Sequence, residues 1–203
     1  MGKAYANRKP IEQRPSSDFY GTPRSVIWEM LDKGIFDNSK NVLDPYCGDK
    51  IFEQELSKKG LYVTSKDIQT GNDFLEEKYE FGEFDTVASN PPFSLFDSFV
   101  LKAKEVAPIV VFIGKTNFLG AHSRQLNGVW EYLSDVYVLD RQIDYQFPVQ
   151  DNGDVGVGCL VTCVYVWVWG YKAEPRLHFI DMNKYCKLGS YDNWLKKNDP
   201  AKY

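Results

Sequence analysis

The tetrapeptide Asn90-Pro91-Pro92-Phe93 holds the residues whose types and spacing are best suited to chemistry. Neither proline can donate a backbone hydrogen bond, so the pair stiffens the chain and leaves carbonyl oxygens pointing outward. Asn90 adds a side-chain carbonyl beside them, and Phe93 adds an aromatic face. Such a cluster of acceptors suits a planar amine, whose N–H groups meet oxygen atoms while its ring stacks on Phe93. A carboxylate substrate would be repelled.

The segments on either side of this tetrapeptide indicate where it lies. Residues 84–89 predict a strand, and residues 94–100 predict the start of a helix. The tetrapeptide therefore lies on a loop at the carboxyl end of a strand. In open α/β sheets, ligands and chemistry are placed at that edge.

A second strand, turn and helix unit precedes it in the chain. Residues 41–44 form a short apolar strand that ends at Asp44, residues 45–49 form a tight turn that contains Gly48, and residues 51–59 form a helix. A glycine in such a turn lets a ligand approach the backbone closely, and Asp44 can bind a cationic group. The next strand, residues 61–67, ends at Asp67, which follows Asp44 by 23 residues. An acid about 20 residues on holds ribose hydroxyls in nucleotide-binding βαβ units.

The other predicted elements complete an α/β pattern. Thr22 and Pro23 predict a helix start, with Thr22 as the N-cap and Pro23 at the first position, and Gly34 predicts its end. The pattern also predicts two helices, from about Leu95 to Val106 and over about 121–133, with a buried parallel strand at 109–114 and a loop at 115–120 between them. Two further strands are predicted at 135–139 and 159–169, with a polar, Gly-rich hairpin loop at 148–157 between them.

Length and composition limit the classes of protein to which the chain could belong. The chain has 203 residues, of which 43% are hydrophobic, enough for one domain with a large core. It contains no run of about 18 apolar residues and no apolar segment near the N-terminus, so we expect neither a membrane span nor a secretory signal. Four cysteines without a CxxC pair and only two histidines make a metal site unexpected. We therefore expect reduced thiols in a cytoplasmic compartment.

The charge of −4 is unevenly distributed along the chain. Residues 1–14 and residues 183–203 each carry a net charge of +3, so residues 15–182 carry −10. An acidic core does not attract phosphate backbones by itself, whereas the basic ends can either bind them or act only as solubilising tails.

Five motifs occur in a fixed order: Tyr-x-Thr-Pro at 20–23, Asp-Pro-x-x-Gly at 44–48, Asp67, Asp73-Phe74 and Asn-Pro-Pro-Phe at 90–93. This order resembles that of the amino-methyltransferases that use S-adenosylmethionine, and most of all the small phage-type DNA N6-adenine methyltransferases. The resemblance covers about residues 18–120 and extends less clearly to about residue 170. It implies an α/β, Rossmann-like methyltransferase fold: a mostly parallel seven-stranded sheet with an antiparallel last strand and helices on both faces. The methyltransferase domain would span residues 18–171. The polar residues 1–17 predict a flexible basic tail, and residues 172–203 are interpreted as a C-terminal extension. The resemblance also implies a protein of the cytoplasm of a bacterial or phage-infected host cell.

The resemblance assigns cofactor roles to residues of this chain. It places the following near S-adenosylmethionine: Tyr20, Thr22 and Pro23 at the methionine end, Asp44, Pro45, Cys47 and Gly48 in the cofactor loop, Asp67 at the ribose, Asp73 and Phe74 at the adenine, and Asn90. Asp44 would lie near the amino group. The family's cofactor loop ends in a second glycine, whereas this chain has Lys50 there.

The catalytic loop implied by the resemblance is Asn90 to Phe93. The Asn90 side-chain oxygen and the Pro91 carbonyl would accept both amine hydrogens of a flipped adenine, and Phe93 would stack on its ring. Candidate DNA contacts are Lys115, Asn117, Arg124, Arg141, the hairpin loop at 148–157 and the basic ends. A homodimer or a partner subunit could supply further DNA-binding surface.

Several alternatives remain open from the sequence. The same loop would suit adenine in RNA or a side-chain amide of a protein. A non-enzymatic cofactor-fold subunit that binds DNA or a catalytic partner is a further alternative, with Lys50 marking a decayed site. A dinucleotide-binding oxidoreductase has less support, because the chain has no G-x-G-x-x-G motif.

Overall fold

The computed structural model describes residues 21–140 and 161–182. Several residues with predicted roles lie outside these ranges: Tyr20, Arg141, the hairpin loop at 148–157, and both basic ends. Within the two described ranges, no helix is long and apolar enough to cross a membrane.

Four helices are present in the described residues. They are α1 (Arg24–Asp32), α2 (Ile51–Leu56), α3 (Phe96–Val106) and α4 (His122–Leu126). Short 3₁₀ segments are present at Ser57–Lys59, directly after α2, and at Ile68–Thr70 and Thr116–Gly120.

Seven strands form one sheet. They are β1 (Asn41–Asp44), β2 (Tyr62–Ser65), β3 (Thr86–Ser89), β4 (Ile109–Lys115), β5 (Leu133–Leu139), β6 (Thr162–Val168) and β7 (Arg176–Ile180). Their order across the sheet is β2-β1-β3-β4-β6-β5-β7, and β6 runs antiparallel to both of its neighbours while the remaining neighbours pair in parallel. The predicted fold class is therefore confirmed. The sheet also extends into β7, beyond residue 171.

Helices cover both faces of the sheet, since the core divides into two clusters. On one face, Phe96, Phe99 and Ala103 of α3 pack with Leu43 and Phe112 of the strands. On the other face, the buried side chains of α1 and α2 pack against alternate residues of the same strands, including Val42, Val111 and Ile113. Successive residues of a strand point to opposite faces, so β1 and β4 contribute to both clusters. The fully apolar strand at 109–114 is explained by this double coverage.

Two local predictions differ from the structure. Helix α1 begins at Arg24, with Pro23 as its N-cap in an extended conformation, so Thr22 precedes the cap instead of forming it. The helix expected over 121–133 ends at Leu126, because Gly128 adopts a left-handed conformation with φ +74° and the chain then turns into β5. The predicted end of α1 is confirmed, since Gly34 has φ +70° directly after Lys33.

Candidate functional site

The candidate site begins where β1 and β3 end side by side. These two strands pair in parallel, so Asp44 and Ser89 lie at the same edge of the sheet. The Ser89 hydroxyl donates a hydrogen bond of 2.8 Å to Asp44 Oδ1, and the Tyr46 backbone N–H lies 3.4 Å from the same oxygen. Because Ser89 directly precedes Asn90, the loop after β1 is joined to the Asn-Pro-Pro-Phe loop.

Asp44 is a buried carboxylate with unused hydrogen-bonding capacity. Its side chain is 1% exposed, and Oδ2 has no hydrogen-bond partner within the described part of the chain. Burial raises the pKa of Asp44 from 3.8 to about 7, partly opposed by the hydrogen bond from Ser89, and the nearby Asp67 carboxylate raises it further. A buried carboxylate oxygen without a partner favours a cationic or N–H donor as its ligand.

The turn after Asp44 is held in place by Asp67. The two Asp67 oxygens accept hydrogen bonds from the Gly48 N–H at 3.0 Å and the Gln69 N–H at 2.9 Å. The Cys47 N–H also donates to the Lys66 carbonyl across 3.0 Å. Asp67 therefore fixes the shape of the loop, and each of its oxygens retains a second lone pair for a further donor.

Lys50 has a left-handed backbone conformation at the position where the resemblance expects glycine. Its φ is +57° and its ψ is +35°, a region that glycine adopts at no steric cost. The Lys50 ammonium lies 3.3 Å from the Glu53 carboxylate, and the Lys50 side chain is the more exposed of the two. Lys50 is not among the residues that line the adjacent cleft.

A small cleft that opens to solvent joins the elements of the site. It is lined by residues before α1, in the turn after β1, at the start of α2 and in the loop after β3: Gly21, Thr22, Tyr46, Cys47, Asp49, Ile51, Phe52 and Asn90. Thr22, Cys47 and Asn90 were predicted from three separate motifs, and the fold brings them to one cleft. Burial, together with the nearby Asp44 and Asp67 carboxylates, raises the pKa of the Cys47 thiol to about 11.

Several other predicted cofactor residues are not among those that line the cleft. Pro23 caps α1 and Pro45 is buried in the turn. Phe74 is 3% exposed and packs between Tyr79 and Phe99, with ring centroids 5.8 and 5.2 Å away. Asp73 Oδ1 accepts a hydrogen bond of 3.0 Å from the Leu75 N–H. Neither Asp73 nor Phe74 lines the cleft.

The Asn-Pro-Pro-Phe loop is compact and buried. Asn90, Pro91, Pro92 and Phe93 are all buried, and the Leu95 N–H donates to the Pro92 carbonyl across 2.9 Å. The Phe93 ring is 6% exposed and meets the Phe118 ring edge-on at 6.0 Å. The Lys115 ammonium lies over Phe93, 4.6 Å from the ring centroid. The face predicted to stack on a base is therefore covered by a cation of the protein.

The candidate DNA contacts differ in their surroundings. Arg124 Nε lies 2.5 Å from the Asp97 carboxylate, and its guanidinium carbon lies 4.3 Å from the Phe118 ring centroid. These contacts link the segment after β4 to α3, which gives Arg124 a structural role. Asn117 is exposed, and Lys115 is half-buried over Phe93.

The sequence pattern did not single out Ser89, Tyr46 or Phe52. Ser89 supports Asp44, while Tyr46 and Phe52 line the cleft. One signal for Ser89 was present, because a hydroxyl in the last position of a buried strand, directly before the Asn-Pro-Pro-Phe loop, requires a polar partner.

No protein-family model and no curated protein matches the chain. Among solved structures, a "putative RNA methyltransferase" from Pyrococcus horikoshii matches 77% of this chain and 90% of its own, with 15% identity and a TM-score of 0.53. The fold is the Rossmann-like methyltransferase fold. The 23S rRNA methyltransferase ErmE shares 12% identity over 77% of this chain and 71% of its own, with a TM-score of 0.42. The DNA-bound restriction-modification enzyme LlaBIII shares 14% identity over 86% of this chain and 21% of its own, with a TM-score of 0.48.

Proposed function

We propose that this protein is an S-adenosylmethionine-dependent methyltransferase that modifies the exocyclic N6 amine of adenine in DNA. One observation carries the proposal: Thr22, Cys47 and Asn90, predicted from three motifs as cofactor and catalytic residues, line one cleft at the carboxyl edge of the sheet. That edge is where open α/β sheets bind ligands.

The residues around Asp44 fit the cofactor. The Oδ2 atom of Asp44, which has no partner among the described residues, suits the cofactor's ammonium group, and the loop held by Asp67 contributes Tyr46, Cys47 and Asp49 to the cleft lining. When bound, S-adenosylmethionine supplies an electrophilic methyl group on a sulfonium. In our proposal, Thr22 and Cys47 contact the methionine end and Asp67 offers its remaining lone pairs to ribose hydroxyls.

The acceptor side uses Asn90 and Pro91. An exocyclic adenine amine is a poor nucleophile because its lone pair is delocalised into the ring. The Asn90 side-chain oxygen and the Pro91 carbonyl accept the two amine hydrogens, which favours a pyramidal nitrogen with an exposed lone pair. Rigid prolines hold these acceptors in place before the reaction, so positioning and electrostatics supply most of the acceleration.

Adenine in RNA is the second candidate acceptor. The Pyrococcus horikoshii protein, 90% of whose chain is matched, is named a "putative RNA methyltransferase". The site described above acts on the base, so it suits adenine in either nucleic acid. We assign nucleic-acid contact to Lys115, Asn117, Arg141, the 148–157 loop and the basic ends, with a homodimer or partner subunit as further sources of surface.

The non-enzymatic alternative predicts that the cofactor does not bind. Against it stands the position of Lys50, which pairs with Glu53 and is not among the residues that line the cleft. A calorimetric titration with S-adenosylmethionine separates the two, since a decayed site gives no heat at millimolar ligand.

The proposal is tested by expression in a host that lacks adenine methylation. Host DNA and RNA are digested to nucleosides and examined by mass spectrometry for N6-methyladenine, with Asn90→Ala as the matched control. We expect the modified nucleoside in DNA with the wild-type chain and none with the variant. Modified adenine in RNA alone would move the proposal to the second candidate, and none in either would refute it.

A further inference from the structure

The Lys115 ammonium that lies over Phe93 restricts which molecules can contact the Asn-Pro-Pro-Phe loop. Lys115 is the last residue of β4, and Phe93 lies on the loop after the neighbouring strand β3. The Lys115 ammonium lies 4.6 Å from the Phe93 centroid and 5.9 Å from the Phe118 centroid. A planar base that stacks on this face of Phe93 must therefore take the place of the ammonium.

In this exchange the side chain of Lys115 moves and its backbone stays in place. Its backbone is fixed by pairing with Thr162 of β6 and by the Tyr165 hydroxyl, which donates to the Lys115 carbonyl across 2.8 Å. The lysine stem has four rotatable bonds, so the ammonium can swing away from the ring while the strand stays in place.

We propose that Lys115 makes the site selective for a phosphate-bearing nucleotide, because the base displaces the ammonium from Phe93 and a phosphate of the same nucleotide accepts it. This inference rests on the proposed function and assigns to Lys115 the selection of nucleic acid over acceptors without a phosphate. Moving an ammonium away from an aromatic face loses a cation–π contact, and a charge-assisted hydrogen bond to phosphate replaces it.

The same exchange disfavours acceptors without a phosphate. A protein side-chain amide offers the amine group that Asn90 and Pro91 could hold, but it brings no anion for the displaced ammonium. A free nucleoside has the base but also lacks the anion. The selection therefore acts at binding, before any methyl transfer, and can be measured without the cofactor.

The test compares adenosine with adenosine 3′- and 5′-monophosphates as probes. Binding to the full chain is measured by calorimetry for the wild type, Lys115→Met and Lys115→Arg. Met keeps an apolar stem without the charge, and Arg keeps the charge. Lys59→Met is the matched control, because the exposed Lys59 lies before the amino end of β2, at the opposite edge of the sheet.

We expect the wild type to bind one of the monophosphates about tenfold more tightly than adenosine. Lys115→Met should reduce that preference to within about twofold and bind adenosine about two- to fivefold more tightly, since no cation–π contact is lost. Lys115→Arg and Lys59→Met should retain the preference. Equal binding of all three probes by the wild type, no binding of any probe, or an unchanged preference in Lys115→Met would overturn the inference.

These results separate the inference from the proposed function. Methylated adenine in host DNA together with an unchanged preference in Lys115→Met would remove the inference and leave the methyltransferase proposal. A phosphate preference that depends on Lys115, in a chain that methylates neither DNA nor RNA, would leave a nucleotide-binding site and remove the methyltransferase proposal.

Discussion

The Ser89 hydroxyl and the Asp44 carboxylate meet at 2.8 Å across the ends of two adjacent parallel strands. This hydrogen bond connects the loop expected to hold the cofactor with the loop expected to hold the acceptor. Both residues are buried, and the other Asp44 oxygen has no partner within the described residues. The protein thus keeps a desolvated carboxyl group whose second oxygen is available to a ligand.

Asp44→Asn should make the folded protein more stable at high pH. The pKa of Asp44 is about 7 in the folded state against an ordinary 3.8, so the folded state retains a proton that the unfolded state has released. Stability therefore falls as pH rises from about 4 to about 7 and then levels off. We expect a gain of up to about 4 kcal/mol for the variant near pH 8.5, and little difference near pH 4. Urea unfolding at both pH values measures it.

The control for this experiment is Asp49→Asn, in the same loop but exposed. It should change the free energy of unfolding by less than about 0.5 kcal/mol at either pH. An Asp44→Asn variant that is equally destabilised at both pH values would contradict the burial argument.

Cofactor binding should release a proton below neutral pH. Asp44 is largely protonated near pH 6, and an ammonium group placed beside it favours the ionised form. Titrating S-adenosylhomocysteine in buffers of different ionisation enthalpy should show about one proton released near pH 6 and almost none near pH 8. Asp44→Asn should abolish this difference. Proton release that persists in the variant would assign the ammonium to another group.

Asn90→Ala should separate catalysis from cofactor binding. Removing a positioned acceptor lowers the rate by about 10²–10³, as for the loss of one donor from an oxyanion hole. Single-turnover transfer of a labelled methyl group measures the rate, and calorimetry measures cofactor affinity, which should stay within about threefold. Ser94→Ala, exposed in the same loop, is the control. An equal loss of affinity and rate would show that Asn90 mainly holds the cofactor.

Lys50→Gly should relieve backbone strain in the loop expected to hold the cofactor. Lys50 has φ +57°, a conformation that a residue with a Cβ adopts at an energetic cost. Lys50→Ala keeps the Cβ and also removes the ion pair with Glu53, so it serves as the matched variant. We expect the glycine variant to be about 1 kcal/mol more stable than the alanine variant in urea unfolding. Equal stabilities would show that the left-handed conformation carries no strain.

Arg124 and Asp97 should be energetically coupled in the folded protein. Their 2.5 Å ion pair joins the segment after β4 to α3. A double-mutant cycle of Arg124→Ala and Asp97→Ala should give a coupling free energy of about 1 kcal/mol in chemical unfolding. Strictly additive effects on stability would instead favour the predicted contact of Arg124 with nucleic acid.

The architecture could be anticipated because its signals are local and repeated. The apolar run at 109–114 predicts a strand buried on both faces, and Val110 and Val111 do pack on opposite faces of the sheet. The helix expected over 121–133 was too long. Apolar residues continue past Gly128, whereas the helical backbone ends before it. β7 was not anticipated: Leu177 and Phe179 are exposed on an edge strand and provide little hydrophobic contrast.

The sequence by itself determined the loop chemistry and its order: an acid after the first strand, a second acid after the next, and a stiff group of acceptors after the third. These follow from residue types at strand ends, which parallel strands bring to one edge. Only the tertiary structure decided which of these groups share a cleft, that Arg124 pairs with Asp97, and that Lys115 covers Phe93. Those outcomes depend on contacts between residues distant in the chain, and no local pattern encodes them because packing and desolvation act only once the sheet has formed.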